Sequence, residues 1–220
     1  MKIIEITGIA GVGKSYIITL LSKREKYLLD KDIVNQYKLH DFKLLIYFFK
    51  NKKSLYIFND IIKIAFLLKI PFFNKLNFIR NSIKKFGKNY FITQCLETQE
   101  ECILIIDEGV SHLYQNVVSH RKQNSEQLCQ LVDKIIEYAE IKHQIVIVTA
   151  EDTTIYHRLQ RRGHKRIKSE QEIENFIEMS KRNINALYKK FYTAIQIENN
   201  QQSNLDVELE KIRENYRKID

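Results

Sequence analysis

An α/β fold built on a parallel sheet is what this 220-residue sequence predicts, and three observations predict it. A run rich in β-branched residues, Lys2-Ile3-Ile4-Glu5-Ile6-Thr7, leads into the glycine-rich Gly8-Ile9-Ala10-Gly11-Val12-Gly13-Lys14-Ser15, and an apolar helical pattern opens at Tyr16. A second apolar run, Cys102-Ile103-Leu104-Ile105-Ile106, ends in Asp107-Glu108-Gly109 without polar alternation, as expected of a strand buried on both faces. Further short strands alternate with helix-length segments, the order that produces parallel strands joined by crossovers.

The glycine-rich segment satisfies G-x-x-x-x-G-K-[ST] at every fixed position, between a strand and a helix. Glycine lets backbone N–H groups approach phosphate oxygens with no Cβ in the way, and the helix N-terminus adds partial positive charge. Gly8, Gly11, Val12, Gly13, Lys14, Ser15 and Tyr16 are therefore expected to hold ATP. Lys14 would reach the β- and γ-phosphates, and the Ser15 hydroxyl would hold Mg²⁺. Asp107, at the end of the buried strand, is the expected second metal residue, acting through water beside Ser15. Glu108 is open to two uses, polarising water or facing an acceptor, and Gly109 lets the chain turn away.

Composition narrows the class. The hydrophobic fraction is 44% and the charged fraction 29%, values of a globular domain, and one domain over residues 1–220 is expected. The chain starts on a strand, so no signal peptide is expected, and no apolar run reaches the roughly 18 residues of a membrane span. Cys95, Cys102 and Cys129 form no C-x-x-C pair and show no zinc spacing; they read as reduced thiols of a cytoplasmic protein. The net charge of +9 is concentrated in one stretch: Lys38 to Lys88 holds twelve Lys or Arg against Asp41 and Asp60, and the rest is near neutral.

Taken in order, Tyr27-Leu28-Leu29-Asp30-Lys31-Asp32-Ile33 reads as a second strand ending in two acids. Phosphoryl transfer to a hydroxyl needs a carboxylate that accepts or orients its proton. Asp32 is the candidate, with Asp30 beside it or on a metal-bound water. Residues 37–92 then read as a basic, aromatic helical insertion on the substrate side, with Pro71 ending a helix near Ile70. Three uses stay open for it: a lobe packing its aromatics inward, a lysine-lined site for an anionic acceptor, or a patch resting on an acidic membrane or nucleic acid. Ser125 to Ile141 carries helical periodicity, and Gln144 to Thr149 reads as the fourth strand.

Asp152-Thr153-Thr154 is a plausible cap for the helix Ile155 to Arg162, which Gly163 closes. Arg158, Arg161 and Arg162 share one face of it, with Arg166 in the following loop. Such a cluster suits a lid over ATP that clamps the charge developing on the transferred phosphoryl group, Arg158 and Arg162 on that group and Arg161 and Arg166 on ATP. Ser169 starts another helix with a capping pattern. Ala194 to Ile197 is the fifth strand, Asn199-Asn200-Gln201 a loop near the adenine, and Val207 to Ile219 a closing helix.

These residues resemble the P-loop kinase group: the phosphate loop after the first strand, the acid after the second, the apolar strand ending in Asp107, and the arginines after the fourth. The overall plan is similar to thymidylate and deoxynucleoside kinases. Asp30-Lys31-Asp32 resembles the D-x-D of shikimate and gluconate kinases, and Arg158-Leu159-Gln160-Arg161-Arg162-Gly163 their lid arginines. The likeness covers the sheet and its helices and leaves out the stretch from Tyr37 to Tyr90. It implies a three-layer P-loop NTPase fold, a parallel sheet of order 2-3-1-4-5 with a helical insertion after the second strand, and Mg-ATP as donor. Asp107-Glu108 departs from the Asp-Arg usual after the third strand of thymidylate kinases.

The expected function is a cytoplasmic kinase transferring the γ-phosphate of ATP to a small acceptor, a nucleoside or nucleotide first and a sugar or glycan second. A P-loop ATPase or switch acting on a protein partner, with Glu108 placing water, and a polynucleotide 5′-kinase are the alternatives. Contact of the basic insertion with an anionic membrane or nucleic acid, and a homodimer, stay open.

Overall fold

The computed structural model describes residues 2–23, 27–96, 102–118, 125–139, 143–163, 169–191, 193–200 and 204–217. Five parallel strands form one sheet in the order β2-β3-β1-β4-β5. They are Lys2–Thr7 (β1), Tyr27–Leu29 (β2), Ile103–Asp107 (β3), Gln144–Thr149 (β4) and Ile195–Glu198 (β5). The α/β class, the five strands and the order 2-3-1-4-5 are as the sequence and its resemblance implied.

Alternation along the strands builds three layers. Val146 and Val148 of β4, with Ile4 and Ile6 of β1, bury against Ile17 and Leu21 of α1 (Lys14–Ser22), Ile155 and Leu159 of α8 (Asp152–Arg162), and Leu209 and Ile212 of α10 (Leu205–Arg217). On the other face, Ile145 and Ile147 join Ile57, Ile61 and Ile64 of α4 (Ser54–Leu67) and Leu128, Val132 and Ile135 of α7 (Ser125–Tyr138). A third cluster seats Leu104 and Ile106 of β3 against Ile33 of α2 (Asp30–Gln36), Leu44 of α3 (Asp41–Lys50) and Phe91 and Ile92 of α5 (Phe72–Leu96). The capping pattern at Ser169 is a full capping box: Ser169 Oγ accepts from Glu172 N, and Glu172 reaches back to Ser169 N, starting α9 (Glu170–Lys190).

Several boundaries differ from the sequence reading. β2 stops at Leu29, and Asp30 opens α2 instead of continuing the strand. Leu29 keeps extended backbone, and the acids of the first turn suit a helix N-terminus. Pro71 lies between α4 and α5 and serves mainly to start α5: its carbonyl accepts from Asn74 N and Lys75 N, and a residue without an N–H loses nothing there. The N-cap of α8 is Glu151, with Asp152 already in the first turn. A helix that periodicity did not signal, α6 (Ser111–Val118), follows Gly109.

Helices α3, α4 and α5 carry most of residues 37–92. Phe48, Ile57, Ile61, Phe86 and Tyr90 are buried in the same cluster as β4, α7 and α9 residues, whereas Phe42, Phe66, Phe72 and Phe73 are exposed. Helix α3 crosses α5 at Gly87, where a Cβ would stand 2.0 Å from the Leu44 carbonyl oxygen. Alanine there would gain about 1 kcal/mol of helix propensity. Prying two helix backbones apart costs about 1–3 kcal/mol, so the clash wins. Gly87→Ala is expected to lower stability by about 1–2 kcal/mol in urea unfolding; an unchanged or raised midpoint would show that the helices separate freely.

Candidate functional site

Parallel strands end together, so their carboxyl-edge loops converge, and this edge is where open α/β sheets take ligands. The loop after β1 turns with left-handed φ values of 91° at Gly11 and 90° at Gly13, and a Cβ on Gly13 would sit 2.1 Å from Asn199 Nδ2. Asn199 Nδ2 donates to the Val12 carbonyl at 2.7 Å. Arg158 Nη1 donates to the carbonyls of Val12 (3.0 Å) and Gly11 (3.3 Å), and its Nη2 to that of Asn199 (3.0 Å). These donors engage carbonyl oxygens that would repel an incoming anion. Arg158 thus braces the phosphate loop from β4–β5 territory. Lys14 Nζ donates to the carbonyls of Gly8 (2.7 Å) and Ile9 (3.3 Å) and pairs with Glu108 at 3.2 Å.

At the end of β3, Glu108 adopts φ 51°, a left-handed backbone that costs a non-glycine residue about 1–2 kcal/mol. Lys85, from α5, donates to the carbonyls of Glu108 (2.8 Å) and Gly109 (3.4 Å), and Glu108 N donates to Ile6 O (3.2 Å). Charge-assisted bonds of about 1.5–3 kcal/mol offset the strain. Burial pushes the Asp107 carboxyl above its ordinary range, and the neighbouring Glu108 and Asp30 charges add to this. Burial also acts to raise Glu108, but His112 and Lys14 outweigh it and hold that carboxyl low. Ser15 and Asp107 line one cleft, and a crowded carboxylate beside a hydroxyl is a donor set that fits Mg²⁺, which keeps waters and takes phosphate oxygens for its remaining positions.

The cleft measures about 450 Å³ and runs from Ser15 and Asp107 to α2, α3 and α5. Leu29, Val34, Leu39, Leu44 and Ile105 give it apolar walls. Buried Asp30 lines it, with Lys88 of α5 on its carboxylate. At the mouth Asp41 pairs with Arg80 and Lys84. Asp30 and Asp32 therefore do not act from one face. In a strand, residues i and i+2 project to the same side; in α2 they lie about 200° apart, which leaves Asp32 exposed and outside this lining.

Beneath the β3 turn lies a buried polar cluster that sequence reasoning missed. Glu5 of β1 is fully buried and accepts at Oε1 from Ser111 N (2.8 Å) and the Ser111 hydroxyl, capping α6. Its Oε2 faces His143 Nδ1 at 3.6 Å, an ion-pair separation too long for a hydrogen bond, and a Cβ on Gly109 would meet it at 2.7 Å. Burial opposes the carboxylate's charge, but His143, Ser111 and Lys85 together hold its pKa below the usual value. Burial drives Lys85 down to about 8, with Glu5 and Glu108 pulling it back up. One signal was available: an acid at the centre of an apolar β-branched strand needs a buried partner.

The remaining site residues scatter. Val12 is buried, and Tyr16 projects from α1 at 58% exposure. Arg161 and Arg162 are exposed in the last turn of α8, before the left-handed cap at Gly163, and Arg166 lies outside the described residues.

No protein-family model matches the chain, and no curated protein does. Solved structures do. Thymidylate kinase from Candida albicans superposes with a TM-score of 0.54 at 12% identity, covering 98% of this chain and 92% of that one. Deoxyadenosine kinase from M. mycoides with bound dATP gives 0.48 at 16%, covering 99% and 100%. Thymidylate kinase from Ehrlichia chaffeensis gives 0.48 at 13%, covering 97% and 98%. At such identities the likeness is one of fold, and it is the P-loop kinase fold that the sequence resembled.

The Glu5 cluster yields a pH-dependent outcome. Glu5→Gln removes the carboxylate that faces His143 and the nearest support of the buried Lys85 charge, and is expected to cost about 3 kcal/mol at pH 7. The native carboxyl titrates below its ordinary 4.5, so its stabilisation is complete above that pH and fades as pH falls through the lowered value. Urea unfolding of both proteins should show the gap narrowing on acidification below about pH 4.5. A gap that stays constant would place the effect elsewhere.

Proposed function

We propose that this chain is a cytoplasmic, ATP-dependent phosphotransferase that moves the γ-phosphate to a small acceptor, a nucleoside or nucleotide before a sugar or glycan. The cleft carries the reading. Some 450 Å³ opens directly off Ser15 and Asp107, ending at a buried carboxylate, and a machine that only activates water has no use for that space beside its metal position. The fold shared with a thymidylate kinase puts nucleosides and nucleotides first.

The loop Gly8 to Ser15 would cradle the triphosphate, and Lys14 would exchange its carbonyl and Glu108 partners for phosphate oxygens. Magnesium, held by Ser15 directly and by Asp107 through water, would supply neutralisation of charge on the β- and γ-oxygens. Asp30 is the group within the cleft that can accept or orient the acceptor's proton, with Lys88 fixing its carboxylate. Arg158 preserves the loop's shape, and Arg161 and Arg162 are left to close over ATP. A second reading, a nucleotide-driven switch, draws on Glu108, whose carboxylate stands 3.2 Å from Lys14 Nζ, near where an attacking water would need a base.

Labelled ATP offered with nucleosides, monophosphates, sugars and oligonucleotides should label one acceptor class. Lys14→Ala should abolish transfer. Asp30→Asn is expected to lower kcat on the order of 10²–10⁴-fold with ATP affinity retained, whereas Asp32→Asn leaves the rate unchanged. ATP hydrolysis that needs no acceptor and disappears in Glu108→Gln would replace the kinase by the switch.

A further inference from the structure

Helix α5 does more than line the cleft. Lys88 meets Asp30 at the end of β2, Lys85 meets the Glu108 carbonyl at the end of β3, and Ile92 packs beside Leu104 and Ile106 within that strand. The helix therefore runs opposite to the strands, and its first turns overhang their carboxyl edge. Phe72 lies thirteen positions before Lys85, which places the α4–α5 connection about 20 Å along the helix axis from the contact with the turn after β3. At that projecting tip the apolar side chains point outward: Phe66, Phe72 and Phe73 are 73%, 65% and 76% exposed, and Leu76 is exposed beside them. Lys75 Nζ sits 5.6 Å from the Phe66 ring centre and donates to the Phe66 carbonyl, so ammonium and ring share one surface, with exposed Lys69 at the turn.

We infer that this tip docks the protein on an anionic lipid surface, the phenylalanines entering the headgroup boundary and the lysines resting on lipid phosphates. Charge complementarity selects this occupant. Lys69 and Lys75 lie by the rings, and no Asp or Glu falls between residues 61 and 96 to set against them. Basic residues around an apolar wedge gain both the hydrophobic and the electrostatic part of interfacial binding. A second copy of the chain is disfavoured, because a two-fold contact would set the same cations against each other. A nucleic acid is a poorer fit, because strands are tracked along a basic groove, whereas these exposed rings gather at the connection between two helices. The tip rises from the carboxyl edge that bears the cleft, so docking turns the cleft's side of the sheet toward the bilayer. The docking stands apart from the phosphotransferase reading, and its test reads binding instead of turnover.

The full chain is sedimented with vesicles of phosphatidylcholine alone and of phosphatidylcholine mixed with phosphatidylglycerol. Partitioning is expected to be about tenfold or more stronger on the mixed vesicles and to weaken as salt is raised. The triple substitution Phe66→Ser, Phe72→Ser, Phe73→Ser should lose about tenfold or more of that partitioning, as should Lys69→Glu with Lys75→Glu, both with the melting temperature of the parent, since the altered side chains are exposed or half-buried at the surface. Equal, weak partitioning on both vesicles would overturn the proposal, as would a triple variant that binds like the parent. Light scattering that shows a dimer split to monomers by the triple substitution would instead assign the patch to a second copy.

Discussion

A single ammonium group holds the geometry on which the site depends. Lys85 reaches from the middle of α5 to two consecutive carbonyls just beyond β3, and these fix a left-handed, non-glycine turn at the sheet's carboxyl edge. That turn separates Asp107, which lines the cleft, from Glu108, which faces Lys14. It also sends the chain into α6, whose first residue is capped by buried Glu5. A mostly buried lysine is costly unless oxygens surround it. Here two carbonyls contact it directly, and the charges of Glu5 and Glu108 lie near enough to support it. The arrangement is mutual: the carboxylates keep Lys85 charged, and Lys85 keeps the turn closed.

The same helix couples the inserted region to the sheet. Arg80, Lys84 and Lys88 recur every four residues along α5, so they form one row, and each meets an acid from α3 or α2. Lys84 and Lys88 of this row line the cleft. Gly87 lies next to it and allows α3 to approach until backbone almost touches backbone. Basic residues in this stretch therefore have more than one role. Lys88 neutralises buried Asp30, Arg80 and Lys84 pair with Asp41 at the surface, and Lys69 and Lys75 lie by the exposed rings of the α4–α5 connection.

What could be read from the sequence was what local pattern controls. The phosphate loop, β1, β4 and the capped start of α9 each follow from a few neighbouring residues, and they stand where the sequence placed them. The sheet order came through the resemblance, which those local motifs carried. Asp30 and Asp32 went astray because D-x-D has opposite meanings in the two periods, a shared face in a strand and opposed faces in a helix, and Leu29 gives no local sign that the period changes after it. Arg158 was legible as a member of the right cluster, yet its contacts with the loop carbonyls and Asn199 depend on strands far apart in sequence. Lys85 and Lys88 could not be told from the other lysines of residues 37–92, since which lysine turns inward is settled by how α5 lies across the ends of β2 and β3.

Lys14 shows how the pieces constrain one another. Its ammonium is already shared among two loop carbonyls and the Glu108 carboxylate. On the proposed phosphotransferase reading, a triphosphate would have to take the lysine from those oxygens, so its gain would be the difference between two sets of charge-assisted contacts and not the whole strength of one. Glu108 would then lose the Lys14 ammonium. Its backbone is pinned by Lys85, so the response would fall to its side chain, whose other oxygen lies 3.9 Å from His112 Nδ1.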